Sequence, residues 1–392
     1  MLETAALSIA DGHPFERVRR GLVELMRVSS DDPDNPKWSL KADDPEAYVH
    51  NVVDGLKELM TLDLLERASL PSTPKSAKAH RHETYHLTAR GQAWADELRT
   101  DRAAAYNRLI GWLLSRHRQF ELYLRAVGAR PDSPADHLTV PLLRRTEVAS
   151  DDPGRFVREF GRYAGRATAE GALGWSADPD DVATDVAAYV AKTSGRAAAA
   201  GRAMSMKAIE KEAEKGVVKA AFSAAGVSID YITVELLRRW TRYLGLATFS
   251  YHAAEPRALR LWGTATVTGS GEDAVIERRI GPDIREQALA ELGDVFAEHQ
   301  GNNARVMYMP VWEARAQVCW RLRIDDAQFD RAIAEMLAGA RGVGLPWQPH
   351  LDQASLGPIP PSASPLVLPT RSGNPRTFNV LNLAPRNHAT NS

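Results

Sequence analysis

LKELMTLDLLERASL (residues 56–70) and HETYHLTARGQAWADEL (residues 82–98) are the two stretches that decide the fold of the N-terminal part of this chain. Apolar residues recur at helical spacing over residues 49–60, which predicts an amphipathic helix. Residues 64–68 and 84–88 have strand character, and a polar segment rich in Pro, Ser and Lys separates them. We therefore expect a helix, a β-hairpin with a long tip, and a further helix.

Upstream of this hairpin, residues 15–28 have helical periodicity, and Asp44 is a suitable N-cap for the helix that precedes the first strand. The order of helix, turn, helix, strand, wing, strand and helix resembles that of the winged helix-turn-helix superfamily. In particular, it is similar to bacterial regulators in which LKEL and LLER are followed by YHLTARGQAWADEL. The resemblance implies a DNA-binding fold for about residues 14–98. Residues 29–44 depart from it, because they are long and acidic where the superfamily has a short middle helix.

A similar order of patterns returns in residues 211–270. A helix over residues 217–225, a turn, and a second helix with an apolar stripe come first. Two strand-like segments follow at residues 246–251 and 259–267, and the tip between them contains Arg257. We expect a second winged-helix-like unit here.

The remaining patterns complete the expected architecture, which is mainly α with small β-hairpins (α+β). Residues 310–349 contain a third pair of helices. The C-terminal residues are rich in Pro, Ser and Asn, with residues 378–383 able to dock as an edge strand. Multiple winged-helix-like units are therefore joined by a helical middle region. The expected division is a winged-helix domain at 1–100, a helical linker domain at 101–210, a second winged-helix-like unit at 211–270, a third helical or winged-helix-like unit at 271–350, and a Pro-rich extended tail at 351–392.

The composition bears on location and partners. The chain has 49 Lys and Arg and 50 Asp and Glu, for a formal net charge of -1, so any phosphate-binding surface must be local. It contains no run of about 18 apolar residues, and residues 1–19 lack the layout of a secretory signal. The single cysteine, Cys319, cannot form an internal disulfide. We therefore expect a cytoplasmic protein without a membrane partner.

The segment His82-Glu83-Thr84-Tyr85-His86 matches the zinc-protease signature HExxH. That chemistry needs both histidines on one helical face, with the glutamate as general base for a zinc-bound water. Here the motif falls where the second wing strand is expected. In a strand that rises about 3.3 Å per residue, His82 and His86 stand about 13 Å apart and could not share one zinc. A zinc hydrolase remains a third hypothesis, which requires stoichiometric zinc that is lost on His82→Ala.

Other catalytic signatures do not occur in the sequence. It contains no phosphate-binding GxxxxGK[ST] loop, no GxGxxG fingerprint, no GxSxG elbow and no paired cysteines for structural zinc. Cys319 lies among Val318, Trp320 and Leu322, which favours a buried thiol over a nucleophile. We therefore expect no catalytic residues, no metal and no cofactor.

Two groups of basic residues are the candidate DNA-binding residues. On the second helix of the 211–270 unit, three arginines project away from the stripe of Leu236, Leu237 and Leu244, and arginine matches both phosphates and guanine edges. The first wing has a local charge of about +3, because four basic residues there outnumber Glu83. The candidates are Arg238, Arg239, Arg242 and Arg257 in the second unit, and Lys75, Lys78, Arg81 and Arg90 in the first.

Each group also has an alternative interpretation. The first wing is equally well explained as a solvated basic loop, and the arginine helix as a surface helix with a salt bridge from Glu235 to Arg239. In the third unit the acids Asp325, Asp326, Asp330 and Glu335 outnumber Arg331 and would repel phosphate. A protein contact is the better hypothesis for that unit.

These patterns lead to two main functional hypotheses. The first is a DNA-associated multi-winged-helix protein that binds double-stranded DNA, as a regulator or as an accessory or scaffold subunit of a bacterial nucleic-acid complex of the restriction or phage-defence type. The second is a protein-binding tandem winged-helix scaffold of an ATPase complex without direct DNA contact. Both imply protein partners, such as an ATPase or a nuclease, and the sequence leaves homodimerisation open.

Overall fold

The computed structural model describes the following parts of the chain: residues 6–7, 15–20, 49–67, 85–141, 152–169, 178–229, 231–251, 258–279, 282–301, 308–338, 346–354, 356, 365–369 and 375–385. Its helices are α1 Val49–Thr61, α2 Ala89–Thr100, α3 Arg102–Arg116, α4 Arg118–Ala126, α5 Pro153–Ala169, α6 Pro179–Ala199, α7 Met206–Ala224, α8 Tyr231–Tyr243, α9 Pro282–Gln300, α10 Val311–Leu322 and α11 Asp326–Leu337. Its strands are β1 Leu65–Arg67, β2 Tyr85–Leu87, β3 His137–Pro141, β4 Ala247–Tyr251, β5 Ala258–Gly263, β6 Ala265–Thr268, β7 Val275–Arg278, β8 Met309–Pro310, β9 Trp347–Asp352, β10 Leu366–Pro369, β11 Pro375–Phe378 and β12 Val380–Pro385. The predicted class, mainly α with small β-hairpins, is confirmed.

The chain divides into two compact units, one formed by residues 1–116 with 270–273 and the other by 117–269 with 274–392. In the N-terminal unit, α1 buries its predicted apolar face, and β1 pairs antiparallel with β2 so that Glu66 lies opposite His86. The hairpin predicted from residues 64–68 and 84–88 is therefore present.

The C-terminal unit contains two modules with the same topology. Module A consists of α4, β3, α7, α8, β4 and β5, and its antiparallel sheet has the order β3-β5-β4. Module B consists of α9, β8, α10, α11, β9 and β12, with the sheet order β8-β12-β9. In both modules the last strand of the chain order lies in the middle of the sheet.

Two strands differ from the organisation that the sequence predicts. The sequence predicts a helical middle region, but β3 lies within it and pairs with β5, with Leu138 opposite Leu261. The expected Pro-rich extended tail contributes β12, which is the central strand of module B instead of an edge strand. Burial of Val380 and Leu381 explains this position, since the free energy of that burial comes from residues far away in the sequence.

Module A carries an insertion, residues 142–205, between β3 and α7. Its helices α5 and α6 pack together so closely that a Cβ at Gly161 would lie 2.5 Å from the Cα of Ala183. The side chains of Phe156 and Phe160 complete a hydrophobic cluster with α6 and α7. The start of α6 is encoded locally, because the Asp178 carboxylate accepts a hydrogen bond from Asp180 N and proline occupies the first turn.

We predict that Gly161→Ala destabilises the protein by about 1–3 kcal/mol, because the new methyl group meets backbone that has to move. Gly195 is the matched control: it lies in α6, and nothing lies within 4 Å of a Cβ placed there. Gly195→Ala should therefore stabilise the protein by about 0.5–1 kcal/mol through helix propensity. Urea unfolding followed by circular dichroism compares the two variants, and equal effects would contradict the close helix packing.

Trp320 of module B joins the two modules. The guanidinium carbons of Arg260 and Arg323 lie 4.1 Å and 3.6 Å from the centroid of its ring. The His137 ring forms a T-shaped pair with it, with ring centroids 4.4 Å apart. Arg323 also forms an ion pair with Asp136. Burial, together with the nearby charge of Arg323, lowers the pKa of Arg260 to about 10. The modules are thus held together by stacked cations as well as by apolar contact.

Candidate nucleic-acid interface

Helix α8 turns two of its three arginines away from the core of module A. Leu237 and Trp240 are buried together with Leu244 just beyond the helix end. On the opposite side, Arg239 and Arg242 are exposed and Arg238 is half-buried. The predicted outward orientation is therefore observed for Arg239 and Arg242, whereas the Arg238 side chain lies at the edge of the core, near Tyr123.

Phe249 on β4 supports this arginine surface. The guanidinium carbons of Arg238 and Arg242 lie 4.8 Å and 5.2 Å from the centroid of its ring. These cation–π contacts restrain two long side chains. The sequence did not predict the role of Phe249, because the contact depends on how β4 packs beside α8.

The intrahelical ion pair differs from the expected one. Glu235 Oε2 accepts a hydrogen bond from Arg238 Nη2 at 2.6 Å, so the glutamate pairs at i,i+3 instead of with Arg239. This face carries three arginines and Glu235, and the charge of Asp326 on α11 also acts on Arg242. Its exposed arginines are Arg239 and Arg242.

The inner side of α8 is fixed by aromatic residues. Tyr123 of α4 is buried and stacks on Phe222 with ring centroids 5.5 Å apart. His117 and Trp240 form a T-shaped pair with ring centroids 6.2 Å apart. Burial raises the pKa of Tyr123. This packing fixes which face α8 turns towards the core.

The other predicted DNA-binding residues either make contacts within the N-terminal unit or lie outside the described part of the chain. Arg90 donates a hydrogen bond from Nη1 to Asp63 Oδ2 at 2.7 Å, and its guanidinium carbon lies 4.6 Å from the ring centroid of Trp112. It therefore stabilises the N-terminal unit. Four residues lie outside the described part of the chain: Lys75, Lys78, Arg81 and Arg257.

The last two residues of the HETYH segment, Tyr85 and His86, lie in strand β2. His86 lies in β2 opposite Glu66, whereas His82 and Glu83 lie outside the described residues. Because His86 lies in a strand, it cannot also belong to a helix that carries both histidines of the motif. Over the ranges that the structure covers, no group of three or more His, Cys, Asp or Glu side chains is placed to hold a metal ion.

Helix α11 of module B is the topological counterpart of α8, but its acids are used inside the module. Asp330 accepts two hydrogen bonds from Arg315, at 2.9 Å and 3.1 Å, and Glu335 accepts one from Arg285 at 3.3 Å. Asp325 forms the N-terminal capping box with Gln328. The predicted acidic face is therefore largely a set of structural ion pairs and a helix cap.

Cys319 is buried beneath this helix, as expected. Its Sγ lies 3.5 Å from the carbonyl oxygen of Asp325, and burial raises the pKa of the thiol well above its usual value. A thiol in this state is a poor nucleophile.

Comparison of the chain with protein-family models, with curated proteins and with solved structures finds no match. Of the helices that the structure describes, none is both long and apolar enough to cross a lipid bilayer.

Proposed function

We propose that this chain is a DNA-associated protein built from several winged-helix-like units, acting as an accessory or scaffold subunit of a bacterial nucleic-acid complex. The topology of modules A and B supports the proposal. A helix, a strand, two helices and two final strands is the order of a winged helix, in which the second helix of the pair enters the major groove. In module A that helix is α8.

The observation that carries the proposal is the exposed pair Arg239 and Arg242 on α8, of which Arg242 lies against Phe249. A recognition helix needs cations on the side that faces away from its module, held in a defined direction. Arg242 meets both requirements, since it is exposed and lies against the Phe249 ring. The near-zero net charge of the whole chain agrees with a local contact surface and not with a general polyanion binder.

Replacing both exposed arginines tests the proposal. We expect Arg239→Ala/Arg242→Ala to weaken binding to a duplex by at least about tenfold at low salt, because two phosphate or base contacts are lost. The slope of log affinity against log salt should become shallower by about 2 if both contact phosphates. Fluorescence anisotropy with a labelled duplex, from about 50 to 200 mM salt, measures both quantities.

Arg331→Ala is the control, because Arg331 is exposed on α11, the corresponding helix of module B. It should leave affinity and slope unchanged. The proposal fails if the wild-type chain, alone or with the products of neighbouring genes, shows no salt-sensitive DNA binding. Equal binding by the double variant would remove α8 as the DNA-binding surface.

The second candidate, a protein-binding scaffold, is favoured by module B. Its helix α11 exposes the apolar side chain of Leu337 as well as Arg331, while Asp330 and Glu335 are engaged within the module. An apolar side chain on an exposed helix suits a protein contact better than a phosphate. Partner assembly that survives Arg239→Ala/Arg242→Ala, together with unchanged DNA binding, would favour this alternative.

A further inference from the structure

The insertion in module A has no counterpart at the same place in module B. There, β8 ends at Pro310 and α10 begins at Val311, whereas module A places residues 142–205 between β3 and α7. Module B reaches the same topology without these residues. The topology that the two modules share therefore does not require the insertion.

The inner side of the insertion is apolar. Phe156, Phe160 and Ala164 of α5 face α6 and α7 in a shared hydrophobic cluster. Gly161 and Gly165 allow the backbones of α5 and α6 to approach closely. Packing buries this side of α5, so only the opposite side is available to a partner.

The outer side of α5 carries a stripe of four arginines: Arg155, Arg158, Arg162 and Arg166. All four are exposed. They recur at intervals of three or four residues, so one face of the helix presents them together, opposite the Phe160 and Ala164 side. At 1.5 Å per residue the stripe is about 16 Å long, which equals roughly five nucleotides of one strand along a duplex axis.

Acids neutralise only part of this arginine stripe. Arg155 Nε donates to Glu159 at 2.7 Å, and Arg162 Nε donates to Asp180 at 2.6 Å. Both are exposed surface pairs, which solvent and salt weaken readily. Arg158 and Arg166 form no ion pair with any residue that the structure describes. The charge of Asp152 also acts on Arg155. Four arginines against these three acids leave a local formal charge of +1.

We infer that the arginine stripe of α5 binds the phosphate backbone of duplex DNA, as a second contact in addition to the α8 surface. This inference rests on the proposed function. A phosphodiester backbone needs positive charge at regular spacing and no apolar anchor. A protein partner would need an apolar centre, and the described outer face of α5 exposes no large apolar side chain. The stripe therefore matches a nucleic acid better than an acidic protein.

The test is Arg158→Ala/Arg166→Ala in the full chain. Loss of two phosphate contacts should make the salt slope of duplex binding shallower by about 2 and weaken low-salt binding about tenfold. Arg158→Lys/Arg166→Lys keeps the charge and should keep the wild-type slope. Lys192→Ala/Arg196→Ala is the matched control, because both residues are exposed on α6 of the same insertion. Thermal unfolding of all four proteins checks that the fold is retained.

The outcomes separate this inference from the proposed function. If the wild type binds duplex DNA and the Arg158/Arg166 alanine variant retains its salt slope, the α5 inference is overturned and the α8 proposal stands. Loss of an acidic protein partner with unchanged DNA binding would overturn it as well. If the wild type shows no salt-sensitive binding at all, the proposed function itself fails. A slope reduced in the alanine variant alone supports the inference.

Discussion

Trp262→Ala is expected to lower the free energy of unfolding of the C-terminal unit by about 3–5 kcal/mol, the usual cost of emptying a buried tryptophan site. Trp262 is 0% exposed and lies on β5 of module A. Its ring nevertheless belongs to the hydrophobic cluster of module B, beside Phe329 and Leu292. Its Nε1 donates a hydrogen bond to the carbonyl oxygen of Ile324 at 3.3 Å. One substitution therefore leaves a cavity in the core that the two modules share.

Urea unfolding followed by far-UV circular dichroism measures this loss. Trp262→Phe is the graded control, since it keeps an aromatic ring and removes the hydrogen bond, and it should cost much less. Val275→Ala, at an exposed position on β7, should have almost no effect. A loss below about 1 kcal/mol in Trp262→Ala would mean that the modules do not depend on this shared core.

Arg315→Ala is expected to lower the free energy of unfolding by about 3 kcal/mol, because it leaves the partly buried carboxylate of Asp330 without its cation. The Arg315 side chain is 3% exposed. It donates two hydrogen bonds to Asp330 and a third, at 3.4 Å, to the carbonyl oxygen of Pro365. The double variant Arg315→Met/Asp330→Leu should recover much of the loss, since it removes both charges of the pair.

The stability loss in Arg315→Ala should also depend on pH. Burial, opposed by Arg315, raises the pKa of Asp330 to about 6, above its value of about 4 in an unfolded chain. The native state therefore binds the extra proton between these values, and stability falls as pH rises through this window. Without Arg315 the pKa rises further, so the deficit should be smaller at pH 5 than at pH 8.

Arg321→Ala is the control for the charge effect. Arg321 forms ion pairs with Glu291 and Glu298 at the surface, and solvent screens them. Its removal should cost far less than that of Arg315 and should show little change between pH 5 and pH 8. Equal losses in the two variants, or a loss in Arg315→Ala that is independent of pH, would contradict the buried-pair argument.

The candidate site was predictable only in part. The direction of Arg239 and Arg242 follows from their spacing relative to Leu237 and Trp240, which lies within a few residues along the chain. The spacing of Arg155, Arg158, Arg162 and Arg166 is equally visible in the sequence. That their face is left free of packing depends on where α6 and α7 lie, and no local pattern encodes this.

By itself, the sequence determined several helices, such as α1, α8 and α11, because helical periodicity and caps such as Asp178 and Asp325 act over one or two turns. It also determined the antiparallel hairpin of β1 and β2. The tertiary structure alone decided that β3 pairs with β5 and that β12 becomes a central strand. It also decided that Arg315 meets Asp330 beneath α11. These arrangements depend on burial and charge pairing between residues far apart in the chain, whose free energy exists only once the chain has packed.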